Sequence, residues 1–190
     1  MGRDEIYEGE LFEKTVSEEK VFEGRVFTAK VLDVELPDGS SAKREIICHR
    51  GGATIVPVDS EGNVYMVKQF RIATGKVLLE TPAGKLEEGE DPFECARREL
   101  TEETGLLAER ISHLSAYYPT PGYCNEVINI YLAEGLTQTH PHRDEGEFLH
   151  IVKMPLEDAI AMVRSGAIED SKTMLGLLLA KEAIARSLRA

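Results

Sequence analysis

The chain has 190 residues, 29% of them charged, and carries a formal net charge of −12. That sign excludes a surface built for nucleic acid or an anionic membrane, which needs a basic stripe to displace counterions. It suits a protein that gathers divalent cations, although much of the acidity serves only solubility.

In chain order, Met1-Gly2-Arg3-Asp4-Glu5 is charged and has no apolar segment behind it, so no signal peptide is expected. Ile6 stands where a myristoylation signal needs Ser or Thr. Residues 21–49 read as β structure. Leu32, Val34 and Leu36 alternate with Asp33 and Glu35, Pro37-Asp38-Gly39-Ser40 turns, and Arg44 to Cys48 returns. A second strand pair is expected from Ala53–Val58 and Val64–Phe70, joined by a turn over Asp59–Asn63. Pro57 marks an edge or a bulge there. Val77–Glu80, Val127–Ala133 and His150–Met154 read as further strands.

Helices are expected near Pro92–Thr104, Leu156–Arg164 and Thr173–Leu188. Their interleaving with strands indicates an α/β (α+β) domain rather than a sandwich or a bundle. The β-rich residues 1–50 form an expected appendage on a core over 51–190, a size that allows one compact catalytic domain with a small additional element. Cys48, Cys95 and Cys124 are odd in number and follow no zinc spacing, so neither disulfides nor a zinc site is expected. The longest apolar run, Met174–Ala180, is too short to span a bilayer. A cytoplasmic setting follows as the expectation.

The helix near residue 92 carries the chemistry. Asp91 suits the N-cap, Pro92 the first helical position, Glu94 the third position of a capping box, and Gly105 the left-handed residue that closes the helix. Phe93, Ala96 and Leu100 share a face, which should be buried. Glu99, Glu102 and Glu103 lie within about 100° of one another beside it. Three such carboxylates repel unless a cation intervenes, and Mg²⁺ takes oxygen ligands. The alternative is a solvated acidic face paired with Arg97 and Arg98.

The surroundings decide between the two. Residues 84–106 read GKLEEGEDPFECARRELTEETGL. They match G-x5-E-x7-R-E-U-x-E-E-x-G-U, with U aliphatic, at Gly84, Glu90, Arg98, Glu99, Leu100, Glu102, Glu103, Gly105 and Leu106. Residue frequencies put a chance match below about one in a million. The segment resembles the Nudix box, and the chain resembles the Nudix hydrolases, which split a nucleoside diphosphate linked to another group. The resemblance implies a mixed β-sheet sandwiched between helices, with a small N-terminal antiparallel element. It implies Glu99, Glu103 and the Ala83 carbonyl as direct metal ligands, with Glu102 ligating a further ion or orienting its water. Arg98 would orient the carboxylates and Glu90 would support the loop. The implied cofactor is Mg²⁺ or Mn²⁺, because clustered acids grip a polyanionic pyrophosphate only through metal ions.

The flanks Lys68-Gln69-Phe70-Arg71, Glu80-Thr81-Pro82-Ala83-Gly84-Lys85 and Tyr118-Pro119-Thr120-Pro121-Gly122 with Glu126 resemble the ADP-ribose pyrophosphatase group. In that group a proline stands sixteen residues beyond the box's last glycine, as Pro121 does here. The likeness extends to Lys43-Arg44-Glu45-Ile46. It implies a homodimer joined through the N-terminal segment, and substrate contacts from Arg44, Glu45, Arg71, Pro121, Gly122 and Glu126. Each of these charges also has a plain reading as a surface residue. A mobile-loop glutamate is the implied general base. Glu145 fits that role and Glu147 a third-ion ligand, with Glu102 next in line; His140 and His142 are nearby loop histidines. The implied reaction is Mg²⁺-dependent cleavage of ADP-ribose to AMP and ribose 5-phosphate. Other nucleoside diphosphate sugars or dinucleotides remain open as substrates. A non-catalytic nucleotide-binding regulator is a further alternative, but a pure binder has no use for all three box acids.

Overall fold

A computed structural model describes residues 11–139 and 148–187. These residues form two compact units, one of 11–50 with Thr120–Glu126, the other of 51–119, 127–139 and 148–187.

The first unit is a three-stranded antiparallel sheet in the order β1-β2-β3, with β1 at Lys14–Glu23, β2 at Phe27–Glu35 and β3 at Ser41–His49. Sequence patterning caught only the end of β1, from Val21 on. Its pairing with β2 shifts register between Thr15 and Ser17 and again between Lys20 and Phe22, which breaks the period-two alternation that marks a strand. Leu36, expected to continue the alternation of β2, lies beyond the strand and accepts from the Gly39 amide at 2.9 Å in the turn. Residues 120–126 join this unit through backbone bonds: Ile47 donates to the Tyr123 carbonyl (2.7 Å) and Asn125 to the Ile47 carbonyl (3.1 Å).

The second unit holds a mixed four-stranded sheet, β7-β4-β9-β8, and a three-stranded antiparallel sheet, β10-β5-β6. Here β4 is Gly52–Pro57, β5 Asn63–Arg71, β6 Lys76–Glu80, β7 Ala83–Lys85, β8 Leu106–Tyr117, β9 Ile128–Gln138 and β10 Leu149–Pro155. The expected pairing of Ala53–Val58 with Val64–Phe70 does not occur. Only an isolated bridge, Val58 to Val64, joins the two segments. Instead β4 runs parallel to β9, and β5 lies between β10 and β6. The reason is burial. Every residue of β4 is buried, and a strand apolar on both faces belongs in the interior of a covered sheet rather than in a hairpin. Pro57 ends β4, past the last residue paired with β7, so no ladder bond on that side requires its missing N–H.

The faces of β4 and β9 sort the core. Ala53, Ile55, Tyr131 and Ala133 pack with Cys95, Ala96 and Leu100 of α1 (Pro92–Thr104). Val56 and Leu132 pack on the other side with Ile160 of α2 (Leu156–Ser165) and Leu177 and Ala180 of α3 (Ser171–Ser187). The mixed sheet is thus sandwiched between helices. Burying each large aliphatic side chain in these layers contributes roughly 1.5–3 kcal/mol. Among the described residues, no helix is long and apolar enough to cross a membrane.

Candidate active site

Helix α1 begins and ends for local reasons. The Asp91 carboxylate accepts from the Phe93 amide at 2.8 Å, Pro92 needs no amide partner, and Gly105 closes the helix at φ 67° with its amide on the Thr101 carbonyl. Two local expectations fail. Glu94 pairs with Arg97 at 2.6 Å, one turn on, rather than completing a capping box. Phe93 is 38% exposed, its ring edge-on to Tyr131, and Cys95 takes its place in the buried face with Ala96 and Leu100.

Two of the three box acids are buried, Glu99 at 9% exposure and Glu103 at 3%. Glu103 accepts from the Ala83 amide at 3.1 Å. The Glu99 carboxylate lies over Gly84 so closely that a Cβ there would sit 1.7 Å from its Oε1, so residue 84 must be glycine for this approach. The two acids therefore bracket the Ala83–Gly84 backbone of β7. Arg98 ties the rest together. Its Nε and Nη2 donate to Glu90 at 2.9 and 3.1 Å, and its Nη1 to Glu99 at 2.6 Å and Glu102 at 2.9 Å. The hydrogen bond to Glu90, foremost, holds the guanidinium above its ordinary pKa despite partial burial. The same contact lowers Glu90, whose other role is to accept from the Glu87 amide at 2.9 Å, which shapes the loop before the helix. Cys95 is no nucleophile here: burial pushes its thiol up to about 12.

Arg71 ends β5 and grips Glu80 with Nε and Nη2, both at 2.7 Å. Glu80 is 1% exposed and is also held by Lys172, which lies 2.9 Å from Asp170. Burial pushes the Glu80 carboxyl upward, but Arg71 and Lys172 outweigh it and keep it below its ordinary value. Arg71 in turn feels the charges of Glu80, Glu103 and Asp170.

Among the described residues, no three His, Cys, Asp or Glu side chains converge as a ready-made cluster for an ion. The donor chemistry nevertheless fits a hard divalent cation. Carboxylates at i, i+3 and i+4 neighbour one another on α1, and the Gly84 cradle admits one of them beside the Ala83 peptide, so every available donor is oxygen.

Residues 49–175 match the NUDIX domain, and residues 13–47 match the nucleoside diphosphate sugar hydrolase N-terminal domain. The chain belongs to the Nudix family. It is 43% identical over 156 residues to the ADP-ribose pyrophosphatase of Bacillus subtilis (strain 168), covering 80% of this chain and 84% of that one. It is 41% identical over 147 residues to the methanol dehydrogenase activator of Bacillus methanolicus, covering 76% and 80%. A crystal structure of an ADP compounds hydrolase superposes with a TM-score of 0.82 at 24% identity, covering 96% of this chain and all of that one, a likeness of fold.

The Nudix helix and Arg71 thus lie in the second unit, while the other expected substrate contacts belong to the first. There Arg44 is paired with Glu13 at 2.7 and 2.9 Å, and Glu45 is exposed. Pro121 and Gly122 form an exposed turn, and Glu126 lies 3.2 Å from His49 Nδ1. Glu145 and Glu147, with His140 and His142, lie outside the described residues. Sequence reading missed the roles of Glu80, Asp170 and Lys172. A glutamate ending the apolar run Val77-Leu78-Leu79 was the available signal, since such a residue is rarely buried without partners. Lys172, ninety-two positions away from Glu80, gave none.

Proposed function

We propose that this Nudix protein hydrolyses ADP-ribose to AMP and ribose 5-phosphate with Mg²⁺ or Mn²⁺. The observation that carries the reading is the placement of Glu99 and Glu103 about the Ala83–Gly84 backbone, with Arg98 holding Glu99 and Glu102 beside each other. The pyrophosphatase relative at 43% identity supports the substrate.

Glu99, Glu103 and the Ala83 carbonyl would hold the cation, with Glu102 and Glu147 serving further ions. When bound, such a cation neutralises phosphate charge and lowers the pKa of the attacking water. Glu145 takes the proton from that water as its oxygen attacks phosphorus, and the anhydride oxygen leaves with the other phosphate. Arg71 meets the diphosphate with the part of its guanidinium that Glu80 does not use. Arg44, Glu45, Pro121, Gly122 and Glu126 are the further substrate contacts that the family resemblance implies. A substrate panel read by phosphorus NMR tests this. ADP-ribose should show the highest kcat/KM and yield two monophosphates. A preference for GDP-mannose or a dinucleotide would replace the substrate. The relative named as a methanol dehydrogenase activator favours a second reading, a nucleotide-binding regulator, which the panel identifies as binding without turnover.

We also propose a homodimer joined through the N-terminal unit. Leu11, Phe12, Val16, Val21 and Phe22 are each more than half exposed on that small unit, an apolar surface unusual for a monomer. Light scattering of the full chain should give twice the chain mass of 21.1 kDa, and an active monomer would refute the proposal.

A further inference from the structure

The first turn of α3 reaches two elements at once. Lys172 contacts Glu80 Oε2, the oxygen that also accepts from Arg71 Nη2, while Oε1 accepts from Arg71 Nε. Lys172 is held on its other side by Asp170 Oδ1, and Asp170 Oδ2 accepts from the Thr173 amide at 3.0 Å and hydroxyl at 2.6 Å. With its proton directed to Asp170, the Thr173 hydroxyl accepts from the Thr81 amide at 2.8 Å. Thr81 Oγ1 lies 2.8 Å from Thr54 Oγ1, which donates to the Pro82 carbonyl at 3.0 Å. The turn thereby fastens both the partner of Arg71 and the Thr81–Pro82 segment that leads to Ala83.

We infer that Lys172 is a positioning residue for Arg71, acting through Glu80, and so helps set affinity for the diphosphate of the substrate. The inference rests on the reading of Arg71 as a substrate contact. Two physical effects support it. First, Lys172 pins one oxygen of a carboxylate whose two oxygens align the guanidinium, so the carboxylate cannot rotate and the fork keeps one plane. Second, Lys172 shares the charge of Glu80. Arg71, Glu80, Lys172 and Asp170 sum to zero, whereas without Lys172 the same group would carry one net negative charge, so the lysine keeps the surroundings of Arg71 from repelling an anion. Burying three or four ions for stability alone is poorly rewarded, because well-packed apolar residues usually serve as well or better. Glu80 is 1% exposed and the Lys172 side chain 12%, whereas the Arg71 side chain is 39% exposed, so the buried members support a residue that meets solvent.

The test compares Lys172→Met, Lys172→Gln and Lys172→Arg, alone and with Arg71→Gln, by kinetics and by calorimetric binding, in the presence of Mg²⁺, of the non-hydrolysable ADP-ribose analogue with a methylene bridge between its phosphorus atoms. Lys172→Gln keeps a donor without the charge and stands in if the methionine variant fails to fold. Removing the charge should raise KM and Kd about tenfold with kcat within about twofold, the pattern of lost uniform binding. Lys172→Arg should recover most of the loss. In the Arg71→Gln background, Lys172→Met should have no further effect, since residues acting through one contact are non-additive. If Lys172→Met and Lys172→Gln keep parental affinity while Arg71→Gln is impaired, the inference fails and the reading of Arg71 stands. An undiminished effect in the Arg71→Gln background also overturns it, by showing a role independent of Arg71. If Arg71→Gln itself has parental affinity, the substrate-contact reading fails and the inference goes with it.

Discussion

EDTA is expected to abolish turnover while leaving the far-ultraviolet circular dichroism unchanged. The loss follows from charge. Glu99, Glu102 and Glu103 present carboxylates to a substrate that is itself polyanionic, and without a cation the encounter is repulsive. Survival of the fold follows from the partners these acids have in the protein. Glu99 and Glu102 accept from Arg98, and Glu103 accepts from the Ala83 amide, so each of the three acids keeps a hydrogen-bond partner when an ion is removed. The helix is also anchored independently of any ion by Cys95, Ala96 and Leu100, each at or near full burial. Adding Mg²⁺ back should restore the rate. Full activity in excess EDTA would remove the metal from the mechanism, and unfolding in EDTA would make it a structural ion.

Glu103→Gln is expected to lower kcat at least as much as loss of the general base does, by about 10²-fold or more, and to raise the Mg²⁺ concentration for half-maximal rate because a ligand is lost. The substitution is nearly isosteric, and the amide oxygen can still accept from Ala83, so the variant should melt close to the parent. Charge is the property removed. Glu145→Gln should instead lower kcat about 10² to 10⁴-fold with KM and Mg²⁺ dependence little changed, because a general base matters mainly in the transition state. The contrast in Mg²⁺ dependence separates a group that holds the ion from one that takes the proton. A parental Glu145→Gln beside an inactive Glu147→Gln would exchange the roles of the two acids. Parental activity in both would move the base to Glu102. A Glu103→Gln enzyme with unchanged Mg²⁺ dependence would remove Glu103 from the ligand set.

Different parts of this protein were legible at different ranges. Helix α1, its Asp91 cap, its Gly105 terminus and the three acids on one edge were all determined by sequence alone. Each depends on residues within about one helical turn, and helical spacing places them without reference to the rest of the chain. The box motif added the family for the same reason, being a contiguous run of 23 residues from Gly84 to Leu106. Most of strand β1 and all of β8 were not legible. In β1 two irregularities break the alternation, and in β8 the run Leu106-Leu107-Ala108-Glu109-Arg110 carries helix-forming residues that antiparallel pairing with β9 overrides. The partners of β4 were likewise hidden, because an apolar strand states that it is covered on both faces but not by what.

Only the tertiary structure decided the burial of Glu99 and Glu103, which sequence placed beside the buried stripe rather than within it. The deciding contact is with β7, where Gly84 lacks the Cβ that would exclude Glu99. It also decided that Arg71 shares Glu80 with Lys172, a residue of α3. Periodicity and caps report a residue's neighbours along the chain, whereas a buried ion finds its partners across the fold, at separations no local pattern records.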